Sequence, residues 1–71
     1  MQCDAMDITD VLSEKIADEL RDAMSYSKMA AAYHDKRPEL SRTLHEIAQQ
    51  ELEHMRRLHD AAVEIIDECL K

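Results

Sequence analysis

The chain has one strong break in its sequence. It contains no glycine, and its single proline, Pro38, lies near the middle of 71 residues. Because glycine and proline most often interrupt regular structure, this predicts two long helices joined at one turn. Asp7 or Thr9 is expected to cap the first helix, and Pro38 suits the start of the second. The predicted elements of this single domain, residues 1–71, are a helix over about 8–35, a turn at about 36–38 and a helix over about 39–70.

Composition limits the core and the partners of the chain. Apolar residues make up 45%, but there is no Phe or Trp, so the core must be aliphatic and rich in methionine. Chains of this length usually add disulfides, metal ions or self-association to a small core. A net charge of −7 argues against nucleic acid or a membrane surface as a partner and favours cations. No stretch resembles a membrane span or a signal peptide, so we expect a cytoplasmic protein.

The two cysteines lie close to the two ends of the sequence. In an antiparallel hairpin Cys3 and Cys69 become neighbours, so a disulfide between them is geometrically feasible. Paired cysteines are typical of secreted proteins, whereas cysteines of cytoplasmic chains are more often free thiols. Free thiols are therefore the expectation here.

Each predicted helix carries an apolar stripe that includes acidic residues. The stripes follow alternating steps of three and four residues, which is the period of a helix face packed on another helix. They consist of Leu12, Ile16, Glu19, Ala23, Tyr26, Ala30 and Tyr33 in the first helix, and of Leu40, Leu44, Ile47, Glu51, His54, Leu58, Ala61 and Ile65 in the second. Burying an unpaired carboxylate costs several kcal/mol. Neither stripe contains Lys or Arg, so a proton or a metal ion is the expected partner.

Glu19, Glu51 and His54 are expected to lie at one height in the hairpin. Counted from a turn at Lys36, they lie 17, 15 and 18 residues away, or roughly 26, 23 and 27 Å along the helices. One metal ion could therefore touch all three. Carboxylate oxygens with a histidine nitrogen suit iron or manganese better than a closed zinc site. The alternative is a polar seam that fixes the register of a helix pair.

A lone hairpin covers only one side of each stripe, so we expect a homodimer. Two antiparallel hairpins related by a two-fold axis would form a four-helix bundle. The axis would bring together four carboxylates and two imidazoles. Two divalent ions would neutralise those four carboxylates.

The chain resembles the two-helix encapsulated ferritins, with rubrerythrin-like domains as wider relatives in the ferritin-like group. The resemblance covers about residues 12–60 and rests on three stretches: Asp18-Glu19-Leu20-x-x-Ala23-x-x-Tyr26, Pro38-Glu39-Leu40 and Glu51-Leu52-Glu53-His54. It implies an all-α ferritin-like bundle with a di-iron site across a dimer interface. By this resemblance Glu19 and His54 are terminal ligands and Glu51 bridges the two irons.

The same resemblance implies a function and an assembly. The function is that of a ferroxidase, which oxidises Fe(II) to Fe(III) with two irons per dimer; manganese and zinc are the expected substitutes. Encapsulated ferritins form rings inside a protein shell, but this glycine-free sequence lacks the glycine-containing tail that directs them there. The sequence by itself therefore supports neither the ring nor the shell. The alternative function is a non-catalytic helical dimerisation module with a structural metal or a polar seam.

The remaining polar residues receive more modest interpretations. Tyr26, two turns from Glu19, is a candidate for a hydrogen bond to a ligating carboxylate, with core packing as the alternative. The other histidines and the polar residues that flank the ligands are expected on the solvated surface: His34, His45, His59, Asp18, Asp22, Gln50 and Glu53. For the last four, the alternative is that they line an entry path for cations.

Overall fold

The computed structural model describes residues 3–71, which form two antiparallel helices. α1 spans Ala5–Tyr33 and α2 spans Pro38–Leu70. Together they make a rod with extents of 58 × 15 × 10 Å. The predicted all-helical hairpin is confirmed, and the described residues include no strand. Neither helix in this range combines the length and hydrophobicity that a membrane crossing requires.

Both ends of α1 lie earlier in the sequence than predicted. Thr9 is not a cap, because its hydroxyl donates to the carbonyl of Ala5, 2.7 Å away, inside the helix. Asp4 is the capping residue instead, without a side-chain hydrogen bond. At the other end the N–H of His34 donates to the carbonyl of Ala31, an i to i+3 bond that tightens and ends the helix. Pro38 is the first residue of α2, where its missing N–H costs nothing.

The core between the helices is thin and built from small side chains near the turn. Ala23, Ala30 and Ala48 are buried, and Leu44 is the only larger apolar residue of the described chain that is buried. Ser41 is buried as well, and its hydroxyl donates to the carbonyl of Ala30 at 2.6 Å. That bond joins the two helices and satisfies a carbonyl in the last turn of α1, where helical partners run out.

Some residues of the predicted stripes lie outside the interface between the two helices. Leu40 and Tyr33 are 43% and 42% exposed, and the side chain of His54 is 53% exposed. Ser41 takes the place predicted for Leu40, and Met55 is half-buried beside His54. The reason is geometric, because a stripe of strict threes and fours drifts by about 20° per seven residues around a straight helix.

The hairpin exposes more surface than a compact protein of its size. Its accessible surface is 5813 Å², whereas a compact monomer of 8.2 kDa exposes about 4,500 Å². The surplus is about 1,300 Å². Large apolar residues account for part of it, among them Val11, Leu20, Met24, Leu52, Val63 and Ile66. The hairpin alone therefore leaves apolar surface uncovered, and the dimer stays a prediction.

A disulfide closes the open end of the hairpin. Cys3 and Cys69 are bonded, with their Cα atoms 5.8 Å apart, inside the usual disulfide range of about 4.4–6.8 Å. The expectation of free thiols is therefore wrong. The antiparallel arrangement of the helices places Cys3, just before α1, beside Cys69 in the last turn of α2.

Candidate metal centre

Glu19 of α1 meets Glu51 and His54 of α2 halfway along the rod. Each offers one ligand atom, and these atoms lie within 4.8 Å of one another. Residues three apart on a helix share one side, which aligns Glu51 with His54. Glu19 lies opposite them because it precedes the end of α1 by nearly the same distance as Glu51 follows the start of α2. The structure thus brings together the three residues of the predicted site, called the ligand cluster below.

The ligand cluster places two carboxylates inside and the imidazole at its mouth. His54 Nδ1 lies 3.4 Å from Glu19 Oε2 and 3.9 Å from Glu51 Oε1. The side chains of Glu19 and Glu51 are only 12% and 18% exposed. Glu19 Oε2 is fully buried and has no hydrogen-bond partner among the described residues. Buried polar atoms in folded proteins almost always have a partner. A bound cation would supply the partner that this oxygen lacks.

The two carboxyl groups of the ligand cluster titrate as a pair. Hydrogen bonding with Glu19 raises the pKa of Glu51 above its ordinary 4.5, and desolvation raises it further. Hydrogen bonding with Glu51 lowers the pKa of Glu19, and His54 lowers it as well, against an opposing effect of desolvation. The close approach of the two carboxyl groups therefore favours a proton on Glu51 over a proton on Glu19.

These three groups fit a divalent transition metal. Neighbouring ligands of one ion at about 2.1 Å are about 3.0–3.4 Å apart. The ligand atoms, now within 4.8 Å of one another, would have to approach by changes of side-chain rotamer to bind one ion. Carboxylates with one imidazole are the donor set of iron and manganese, and a set of three leaves coordination positions open.

The ligand cluster opens on one side of the hairpin, called the ligand face. Lys15, Glu19, His54, Arg57 and Leu58 line the opening. The cations Lys15 and Arg57 counter the negative charge of the cluster, and Lys15 helps to lower the pKa of Glu19. The sequence analysis missed both residues. Helix spacing carried the signal, since Lys15 precedes Glu19 by four residues and Arg57 follows His54 by three.

The structure does not bring Tyr26 into the ligand cluster. Tyr26 is half-buried and follows Glu19 by seven residues, or about 10 Å along the helix. Within residues 3–71 no hydrogen bond joins it to Glu19 or Glu51. Its role beside the ligands stays a prediction.

The flanking residues lie on the surface, as expected. His34 pairs with Asp35 and His59 with Asp60, all four exposed. Two further exposed ion pairs join Asp18 to Arg21 and Glu53 to Arg56. His45 is exposed and lies outside the ligand cluster.

Mild acid is expected to stabilise the metal-free protein through Glu51. Its raised pKa means that the folded state holds the proton more tightly than the unfolded chain. This contribution is present below the ordinary 4.5 and is lost as pH rises through the folded pKa. Glu19 acts oppositely, losing its contribution as pH falls below 4.5. As the pH is lowered from neutral toward 4.5, the melting temperature of the metal-free protein should therefore rise more steeply than that of Glu51→Gln. Equal slopes in the two proteins would contradict the raised pKa of Glu51.

Comparisons with known proteins bear on the family. A family model described as Rubrerythrin matches residues 10–68, which include most of both helices and the whole ligand cluster. Neither a curated protein nor a solved structure matches the chain. The match covers most of the sequence, and the family generally binds iron, in agreement with the donor set of the cluster. The chain therefore belongs to the rubrerythrin family.

Proposed function

We propose that the protein is a ferroxidase, which binds Fe(II) through Glu19, Glu51 and His54 and oxidises it to Fe(III). The observation that carries this proposal is the buried, unpartnered oxygen of Glu19 beside a second carboxylate and an imidazole. A site of this kind stabilises the higher charge of Fe(III), because carboxylates are hard anionic ligands. Its open positions leave room for an oxidant.

The proposal includes a dimer that shares two irons. One chain offers only three ligands, and its half-exposed His54 lies at the mouth of an open groove. A two-fold axis at the ligand face would set two clusters against each other and shield them from water. Four carboxylates then meet two ferrous ions, which leaves the site neutral before oxidation.

A pair of ferrous ions also supplies the two electrons that the oxidant accepts. Each ferrous ion gives up one electron, so a pair reduces dioxygen to peroxide, or peroxide to two molecules of water. The chain's own contribution is to hold the ions and to move a proton. Metal binding requires both carboxyl groups to be deprotonated, so a proton held by Glu51, whose pKa is raised, would be released when the metal binds.

Anaerobic titration with ferrous iron, followed by admission of air, tests the proposal. We expect saturation at one iron per chain and then oxygen uptake that accompanies the ferric absorbance. Light scattering on the same iron-loaded sample should give the mass of a dimer. Binding without oxidation would overturn the ferroxidase and favour a structural metal in a helical dimer. No binding at all would leave the ligand cluster as a polar seam.

A further inference from the structure

Two cations line the groove that opens beside the ligand cluster. Lys15 of α1 and Arg57 of α2 border it together with Glu19, His54 and Leu58, and its volume is about 440 Å³. Pockets that hold small ligands measure about 300–1,000 Å³. Positive side chains are unexpected at the mouth of a metal site, because they repel the ion that the carboxylates attract. Lys15 and Arg57 therefore need a role of their own.

Lys15 and Arg57 lie at one height, on the disulfide side of the ligand cluster. Lys15 precedes Glu19 by four residues and Arg57 follows His54 by three, which corresponds to about 6 and 4.5 Å along antiparallel helices. Residues three or four apart share one side of a helix, so both cations project on the side of the cluster. They border one groove from opposite helices, about one turn away from the ligands.

The carboxylates near these two cations are already engaged. Within residues 3–71 neither Lys15 nor Arg57 forms an ion pair. The acidic residues three or four positions from them on the same helices, apart from Glu19, have other partners: Asp18 pairs with Arg21, Glu53 with Arg56 and Asp60 with His59. What remains to balance the two positive charges is the ligand cluster itself, and Lys15 helps to lower the pKa of Glu19.

A bound metal ion would end this balance. Without metal, Glu19 and Glu51 set up to two negative charges against the two positive charges of Lys15 and Arg57. A divalent ion neutralises both carboxylates, so the groove then holds two positive charges in excess, and a trivalent ion adds a third. The count per chain is the same for an open hairpin and for the proposed dimer. Metal loading therefore favours an anion in the groove.

The two side chains suit an oxyanion with several oxygens. The guanidinium of Arg57 presents its N–H donors in a planar fork that matches two oxygens of one anion, and the ammonium of Lys15 adds a compact charge with three donors. Phosphate offers enough oxygens for both groups and carries more than one negative charge at neutral pH. Chloride has neither property.

We propose that Lys15 and Arg57 form an oxyanion site of the phosphate class, which fills when the ligand cluster holds a metal ion. Metal and anion then bind cooperatively, because each supplies the charge that the other lacks, and such coupling acts equally in both directions. The site rests on the metal binding of the proposed function, but not on the oxidation of iron.

Manganese(II), which air does not oxidise at neutral pH, tests the site apart from the ferroxidase. The full chain is titrated with manganese at constant ionic strength, in chloride alone or with inorganic phosphate, and free manganese is measured by electron paramagnetic resonance. Phosphate should tighten manganese binding by the wild type at least about fivefold, the lower end of the range for coupled ligands. Lys15→Gln and Arg57→Gln should lose this effect. Without phosphate, both variants should bind manganese at least as tightly as the wild type, because a repelling charge is gone.

Two other exposed cations provide matched controls. Arg56→Gln and Lys28→Gln remove the same charge outside the groove, and both should respond to phosphate as the wild type does. Any complex of phosphate with free manganese affects all the proteins alike, and circular dichroism should show equal helix content. A second readout is the phosphorus relaxation rate of phosphate. Bound manganese should raise this rate in the wild type, but not in the double variant of Lys15→Gln and Arg57→Gln at equal manganese occupancy.

Several outcomes would overturn the proposal. A wild type whose manganese affinity is unchanged by phosphate would leave carboxylates of a second chain as the counter-charges of the groove. An equal effect of phosphate in Lys15→Gln and Arg57→Gln would place the anion elsewhere. Weaker manganese binding by these variants without phosphate would give both residues a structural role. Absence of manganese binding in the wild type would remove the metal on which the site depends. A wild type that shows the phosphate effect but does not oxidise iron would refute the ferroxidase alone.

Discussion

Glu51→Ala should abolish iron binding and iron oxidation. The substitution removes one of two half-buried carboxylates from a three-ligand set, which leaves Glu19 and His54 alone. Even residues that only support metal ligands change affinity or activity by about 10–100-fold, so we expect a loss above about 100-fold. His54→Ala should have the same effect. The measurements are ferrous titration under argon and initial oxidation rate in air.

Two surface residues of the same helix provide matched controls. Glu53→Ala removes an exposed carboxylate that pairs with Arg56, and His59→Ala removes an exposed imidazole beside Asp60. Both controls should bind and oxidise iron as the wild type does. Metal-free Glu51→Ala should melt no lower than the wild type, because it removes a carboxyl group that is disfavoured in its charged form. Full oxidation in both ligand variants would refute the assignment.

Loss of the disulfide should cost the fold most of its stability. The bond joins residues 66 positions apart, and closing so long a loop restricts the unfolded chain by about 4 kcal/mol. A single core in a chain this short rarely supplies more than about 3–5 kcal/mol. Cys3→Ser with Cys69→Ser should therefore lower the melting temperature by roughly 20 °C, measured by circular dichroism without metal.

Reduction provides the control for that experiment. A dithiol reductant should lower the melting temperature of the wild type to that of the double serine variant, and should leave the variant itself unchanged. Cys3 precedes Glu19 by 16 residues, or about 24 Å along the rod, so the folded variant should still bind iron. A wild type that melts at the same temperature with and without reductant would show that the bond contributes nothing.

The sequence predicted the hairpin and the meeting of its three ligands because both depend on local regularities. Glycine is absent, the single proline fixes the turn, and a constant rise per residue sets the heights of Glu19, Glu51 and His54. The exposure of Leu40 and Tyr33 was not predictable by stepping in threes and fours, since drift accumulates along a straight helix. The disulfide was not predictable from the sequence, because two cysteines brought together by a hairpin can equally be free thiols, and the redox environment decides which form is present.

Because of the disulfide, the two helices are covalently joined at both ends of the rod. A short turn through residues 34–37 joins the helices at one end, and the bond between Cys3 and Cys69 joins them at the other. The ligand cluster lies halfway between these two connections. Its geometry therefore depends on the register of the two helices, and not on which end of the rod is joined by the polypeptide and which by the disulfide. The hairpin is in effect a closed ring of covalent bonds, and a circular permutant opened at the turn would keep Glu19 opposite Glu51.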